Sequence, residues 1–201
     1  KGKLSPMMEQ YFKIKKDYPG VILFFRLGDF YEMFFDDAKI ASEELDLVLT
    51  GRDCGQEERA PMCGVPFHSA DNYIAKLVSR GYKVAICEQM EDPSAAKGLV
   101  KRDVIRIITP GTVIEGNMLE DGVNNYLCAI YKGKKDTGIC FADVSTGEFH
   151  ITVLDDVDTE NKIINQLSTY SPKEIIVNKA VFDMESVASF STKRLEAIFE
   201  L

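Results

Sequence analysis

The chain has 201 residues, 45% apolar and 10% aromatic, with a net charge of −8. That is enough apolar content for one large domain or two small ones of roughly 100–150 residues each, and no long low-complexity segment argues for disorder. No apolar run approaches the roughly 18 residues of a membrane span, and Lys1-Gly2-Lys3-Leu4 lacks an apolar leader, so a cytoplasmic protein without a membrane partner is expected.

Acidity is uneven along the chain. Residues 1–110 carry 16 Lys and Arg against 17 Asp and Glu, a net of −1; residues 111–201 carry 8 against 15, a net of −7. Tight binding through many DNA phosphates is therefore disfavoured for these residues alone, and any contact by the first half must be local. The five cysteines, Cys54, Cys63, Cys87, Cys128 and Cys140, have no Cys-x-x-Cys spacing. They read as reduced, buried thiols rather than disulfides or a zinc site.

Ser5-Pro6 opens a helix, a capping residue followed by proline in the first turn, with Met8, Tyr11 and Phe12 at helical spacing and an end near Tyr18-Pro19-Gly20. Val21–Leu27 is a short apolar run, hence a buried strand. After the turn residues Gly28-Asp29, the alternation of a strand puts Phe30, Glu32 and Phe34 on one face and Tyr31, Met33 and Phe35 on the other. The second face is a core face. The first holds a carboxylate whose uncompensated burial is costly, so it is open to solvent or meets a ligand. An aromatic beside an acid there is either a probe of base pairs or an ordinary strand end.

Asp36 or Asp37 is expected to cap a helix through Leu45, followed by a strand at Leu47–Thr50 and an exposed loop from Gly51 to Ala60. Ser69 is expected to cap a helix whose stripe is Tyr73, Ile74, Leu77 and Val78 and whose terminator is Gly81. Strands at Lys83–Cys87 and Asp103–Ile108 follow, the second ending at Pro110-Gly111. This order predicts an α/β domain over residues 1–110, a mixed sheet with helices packed against it.

Residues 111–122, rich in Gly, Asn and acids, read as a linker. A second domain, 123–201, opens with strands Tyr126–Tyr131, Thr137–Val144 and Glu148–Leu154 joined by hairpin loops. A helix at Thr159–Tyr170 and a strand at Glu174–Asn178 come next, and Ser191–Leu201 carries an incomplete helical pattern.

No Gly-x-x-x-x-Gly-Lys-Ser/Thr or Gly-x-Gly-x-x-Gly occurs, so nucleotide hydrolysis is not expected in this chain, and no catalytic or metal-ligating set stands out. His68 and His150 have no neighbouring ligands in sequence. Asp143-Val-Ser-Thr-Gly147 reads either as a strand-to-turn signal or as part of a metal-dependent nuclease of ribonuclease H type. Such a nuclease wants several convergent acids, and the adjacent strands offer only Glu148. Arg52, Arg59, Lys76, Arg80, Lys97, Lys101, Arg102 and Arg106 are candidate phosphate contacts or solvated surface residues. Arg52 stands out because it follows a predicted strand in a glycine loop.

Leu23-Phe24-Phe25-Arg26-Leu27-Gly28-Asp29-Phe30-Tyr31-Glu32 resembles the mismatch-reading motif of the MutS family of DNA mismatch-repair ATPases. The likeness continues through Asp36-Asp37-Ala38, residues 60–68 (Ala60-Pro61-Met62-Cys63-Gly64-Val65-Pro66-Phe67-His68), Ala85-Ile86-Cys87-Glu88-Gln89 and residues 106–112 (Arg106-Ile107-Ile108-Thr109-Pro110-Gly111-Thr112). It is strong over about 5–115 and weaker over 123–180. The resemblance implies an N-terminal mismatch-binding domain followed by a connector domain with a ribonuclease H-like fold, incomplete at its C-terminus and lacking nuclease activity.

By that likeness, Phe30 is a wedge entering the minor groove at mispaired or unpaired bases of kinked duplex DNA. Glu32 is the acid that hydrogen-bonds the stacked base; near phosphates its pKa is expected to rise, so that it donates as a neutral acid. Arg52, Met62 and Gly64 match positions near DNA and are carried as backbone or minor contacts. The family's ATP and Mg²⁺, its homodimer contacts and its downstream partner MutL are expected of the full-length protein, in the cytoplasm at the nucleoid. A reading in which both halves dock proteins, with Phe30 in a protein interface, stands beside the DNA-binding one.

Overall fold

The computed structural model describes residues 3–94, 98–194 and 198–200. The chain divides into two compact units, residues 1–78 with 82–108, and residues 79–81 with 109–201. Both are α/β with mixed sheets, the class expected from the sequence.

In the first unit α1 (Pro6–Lys15) starts as predicted, with the Ser5 hydroxyl accepting from the Met8 N–H at 3.4 Å. The sheet runs in the order β3 (Thr50–Arg52), β4 (Ala60–Pro66), β2 (Phe30–Phe34), β1 (Val21–Leu27), β5 (Lys83–Gln89), β6 (Arg102–Ile108). Only the β1–β5 pair is parallel. Alternate strand residues divide the core. Val21, Leu23, Phe25, Phe34, Ala85 and Cys87 pack with Met8 and Tyr11 of α1. Ile22, Phe24, Met33, Val65, Val84 and Ile86 are buried on the opposite parity. So are Ala38, Ala41 and Leu45 of α2 (Phe35–Leu45) and Ile74, Leu77 and Val78 of α3 (Ala70–Ser79).

Several sequence expectations are corrected here. Helix α2 begins at Phe35, with neither Asp36 nor Asp37 capping it through a side chain. Both acids lie in the first turn, where the helix dipole favours negative charge. Asp37 is buried, accepting from the Leu23 N–H at 2.9 Å and from Lys15 Nζ at 2.8 Å. Phe35 has φ 53, a left-handed value costly for a bulky residue. Its ring leaves the Tyr31–Met33 face and lies 5.0 Å from the Phe12 ring.

Residues 47–49 form no strand; Val48 and Leu49 are exposed, and pairing begins at Thr50. The expected 51–60 loop is trimmed at both ends by β3 and β4. Strand β4 departs from the sequence pattern, in which Pro61, Gly64 and Pro66 argue against a strand, and it fills the slot between β2 and β3. Ser69 lies in a 3₁₀ turn, Phe67–Ser69, and donates back to the Pro66 carbonyl at 3.3 Å instead of capping α3.

In the second unit the order is β11 (Ile198–Glu200), β10 (Glu174–Val177), β7 (Tyr126–Lys132), β8 (Asp136–Asp143), β9 (Glu148–Asp155). The predicted meander is β7–β8–β9, joined antiparallel, with β10 parallel to β7. Tyr126, Cys128, Ile130, Ile139 and Phe141 form one core with Ile163 and Leu167 of α4 (Thr159–Tyr170), Val181 of α5 (Lys179–Phe182) and Val187 of α6 (Glu185–Arg194). The C-terminal helical pattern is corrected: α6 is described to Arg194, and 198–200 pair as a strand with β10. None of the five cysteines is bridged; four are buried and Cys140 is partly so.

Candidate nucleic-acid interface

The outermost feature of the first unit's central hairpin is the tip between β1 and β2. Leu27 faces Phe30 across a two-residue turn, Gly28-Asp29, with Gly28 at φ 58. Glycine at the first central position matches the twist of a tight hairpin at no steric cost. The tip is held from behind by Arg26, whose Nε donates to the Gly28 carbonyl at 2.5 Å. Its guanidinium carbon lies 3.6 Å from the Phe67 ring centroid and 5.7 Å from that of Tyr31. Nη1 reaches Glu88 Oε1 at 3.3 Å, and Glu88 also accepts from the Tyr31 hydroxyl. Burial and the neighbouring Glu88 carboxylate both push the Tyr31 phenol pKa up, so it stays a donor. The Phe67 N–H closes the brace on the Asp29 carbonyl at 2.9 Å.

The other face of β2 carries the predicted pair. Phe30 is 47% exposed, Glu32 partly buried and Phe34 wholly buried. The expectation that this whole face is open or ligand-facing is therefore corrected. Helix α1 covers its Phe34 end, with the Tyr11 and Phe34 rings 5.1 Å apart, and leaves the Phe30 end bare. On Phe25, the cross-strand neighbour of Glu32, Arg102 is shut in. It lies over Phe25 at 5.1 Å and donates to the Arg26 and Val100 carbonyls and to Gln10 Oε1. With Nε and Nη1 engaged inside the protein and only 8% exposed, Arg102 is shut away from solvent, unlike the surface cation expected.

Glu32 faces Phe25 on one side and Gly64 on the other. A Cβ at Gly64 would stand 3.4 Å from Glu32 Cγ and 3.2 Å from the Tyr31 carbonyl oxygen, so the missing side chain gives the acid its room. Across β4, Arg52 reaches over and donates through Nη1 to both carboxylate oxygens, at 2.6 and 2.7 Å. Burial pushes the Glu32 carboxyl above the usual carboxylate range, against the opposing charge and hydrogen bonds of Arg52. Met62 lies opposite Phe34 and Thr50 and packs against the α1-side core. The structure thus gathers Phe30, Glu32, Arg52 and Gly64, with Met62 set back toward the core.

Of the remaining cations, Arg59, Lys101 and Arg106 are exposed, and Lys76 lies 3.3 Å from Asp46. Arg80 is exposed beyond α3, and Lys97 lies outside the described residues. His68 is exposed next to Phe67. Arg26, Tyr31, Phe67 and Glu88 were not singled out from sequence as site residues. The only signal was Arg26 four places before Phe30, which becomes meaningful once the register puts it opposite Tyr31.

In the second unit, Asp143 is buried and saturated by the turn that follows it together with Asn124 and Asn125. Its oxygens accept from the Ser145 N–H and hydroxyl, the Thr146 and Asn125 N–H groups and Asn124 Nδ2. Glu148 is taken up by Asn124, Tyr126 and His150, the last at 2.6 Å. Among the described residues no group of three His, Cys, Asp or Glu side chains could hold a metal, so nothing here favours the nuclease reading. No described helix is long and apolar enough to cross a membrane.

Residues 5–117 match the family model described as MutS domain I, and residues 125–200 match that of MutS domain II. The chain belongs to the MutS family. It is 60% identical over 193 residues to a DNA mismatch repair protein MutS of Acetivibrio thermocellus, covering 96% of this chain and 22% of that protein. It is 59% identical over 181 residues to that of Clostridioides difficile, covering 90% of this chain and 19% of the relative. The chain thus spans about a fifth of the length of the MutS proteins it matches.

Proposed function

We propose that the first unit recognises mispaired or unpaired steps in duplex DNA, with Phe30 as a wedge in the minor groove and Glu32 hydrogen-bonding the base stacked on it. What carries this reading is a half-exposed ring on a braced two-residue turn, with a sheltered carboxylate two residues along the same face. Inserting a ring unstacks a base step and kinks the duplex at a cost of a few kcal/mol. Mispaired steps are already weakly stacked and deformable, so they yield more cheaply than paired ones. Discrimination then follows from deformability rather than from reading one base identity. The names of the relatives, DNA mismatch repair proteins, support the same reading.

Glu32 adds two things. Its burial favours the neutral acid, which donates to a base acceptor, and as a carboxylate it opposes the close approach of well-paired DNA. Arg52 supplies a backbone contact, and Gly64 and Met62 shape the floor beside it. The mismatch-binding domain is assigned to residues 1–110, a linker to 111–122 and a connector domain to 123–201, which joins the recognition unit to the rest of a full-length chain. That full-length protein is read as an ATP- and Mg²⁺-dependent homodimer that passes its state to a MutL-type partner, in the cytoplasm at the nucleoid.

The test is a photoreactive base placed at a mismatch in a labelled duplex, bound to a full-length MutS chain carrying these residues. The reading expects cross-links at position 30 and few from a matched duplex. Equal cross-linking from both duplexes, or none at position 30, would overturn it.

A further inference from the structure

The Glu32–Arg52 pair is lopsided. Both of its hydrogen bonds leave the guanidinium through Nη1, at 2.7 Å to Oε1 and 2.6 Å to Oε2. A forked Arg–carboxylate pair instead uses two nitrogens, one for each oxygen. Here Nε and Nη2, which together form the side-on edge of the guanidinium, donate to none of the described residues. That planar two-donor edge matches two oxygens of a phosphate. It belongs to a side chain 37% exposed, while the Glu32 side chain beneath is 12% exposed. Arg102 is close enough for its positive charge and that of Arg52 to repel one another, and it is buried, with Nε and Nη1 turned to carbonyls and Gln10 inside the protein. A second anion beside Arg52 is thus electrostatically favoured, and of the two arginines Arg52 is the one open to solvent to receive it.

We propose that Arg52 couples phosphate capture to the acid: its Nε–Nη2 edge takes two oxygens of a DNA backbone phosphate while Nη1 holds Glu32, and the divided charge loosens the carboxyl toward the base beside Phe30. The proposal rests on the reading of Phe30 and Glu32 above and makes Arg52 a positioning residue that determines specificity. In the free protein, Arg52 offsets the cost of burying the Glu32 charge. A phosphodiester sharing the guanidinium weakens that offset, and Glu32 then takes a proton from solvent and becomes a donor. Off DNA, Arg52 keeps the acid charged and tethered across β4. Glu32 therefore changes role only where a phosphate has been drawn to the edge of the sheet.

The experiment measures affinities of a full-length MutS chain carrying these residues for a duplex with one unpaired thymine and for its matched counterpart, across a salt series. The variants are Arg52→Ala, Arg52→Lys, Glu32→Gln and the double variant Arg52→Ala/Glu32→Gln. For Arg52→Ala we expect the mismatch-to-match affinity ratio to fall roughly tenfold, because Glu32 is then released on matched and mismatched duplexes alike and no longer answers to the phosphate. The salt slope should shrink by about one. In the Glu32→Gln background, Arg52→Ala should weaken both duplexes equally and leave the ratio where Glu32→Gln alone puts it. Arg52→Lys should keep the slope and lose the ratio, because an ammonium has no side-on edge.

The coupling is overturned if Arg52→Ala weakens both duplexes equally in the parent background, which marks a plain phosphate contact. It is equally overturned if Arg52→Ala lowers the ratio by the same factor in the parent and in the Glu32→Gln background. An unchanged salt slope with a lowered thermal midpoint marks a structural brace and also overturns it. Failure of the underlying reading is seen separately, as a ratio that Glu32→Gln alone leaves intact.

Discussion

Arg26 never faces the DNA side of the hairpin in this reading, yet the geometry makes it the residue on which the tip's rigidity depends. Arg26→Ala removes a charged donor to the Gly28 carbonyl, the stacking over Phe67 and the contact with Glu88. A charge-assisted hydrogen bond is worth about 1.5–3 kcal/mol. A partly desolvated cation–π contact adds about 0.5–2 kcal/mol. The side chain is 16% exposed, so solvent screening takes back only part of this. Allowing for non-additivity among touching groups, a local loss of about 2–3 kcal/mol is expected. The reporter is the Phe67 N–H, bonded to the Asp29 carbonyl at the back of the tip. In native-state hydrogen exchange that loss appears as roughly 30- to 150-fold faster exchange at Phe67, with distant amides such as Leu23 unchanged. Arg26→Lys should recover little, since an ammonium neither stacks nor reaches both partners. Exchange at Phe67 within threefold of the parent would refute the brace.

The two units should respond to pH with opposite signs. Glu32 and Asp37 are pushed up chiefly by burial, so between their unfolded and folded values the folded state binds more protons than the unfolded one. The first unit should lose stability as pH rises from about 4 through those values. In the second unit, despite burial, Asp143 is held low by hydrogen bonds from Ser145, Asn125 and Thr146. Glu148 is held low by His150, Tyr126 and Asn124, and Asp155 by Lys162 and the Val157 N–H. Their contribution is present above about pH 4 and is lost as pH falls through the folded values. Denaturant midpoints followed with a probe in each unit should slope in opposite directions, and Glu32→Gln should flatten the first; parallel slopes would contradict the assignment. Asp143→Ala leaves buried turn donors unmet and should cost the second unit about 2–4 kcal/mol in thermal or urea unfolding. A cost below about 1 kcal/mol would mean the turn holds without it.

Much of this was written in local pattern. The Ser5 start of α1, the meander of the second unit and the alternation of Phe30 with Glu32 follow from capping chemistry and period-2 spacing, and all appear in the fold. What failed was set by partners distant in sequence. Strand β4 carries two prolines and a glycine and pairs because β2 and β3 flank it. Phe34 reads like Phe30 but is buried because α1 crosses that end of the strand alone. Arg102 reads like any surface cation and is consumed by carbonyls 76 and 2 residues away and by Gln10. The Arg52–Glu32 pair spans 20 residues and a whole intervening strand, and no spacing rule predicts it.

On this reading the bare ring at position 30 pries at DNA where pairing has failed. The most direct test is the affinity of a full-length MutS chain bearing Phe30→Ala for duplexes with and without a mismatch, by fluorescence anisotropy at fixed salt. Loss of the wedge should bring the two affinities to within about threefold of each other while matched-duplex binding stays near the parent value, because phosphate contacts carry no sequence information. A variant that still prefers the mismatch as strongly as the parent would contradict the claim.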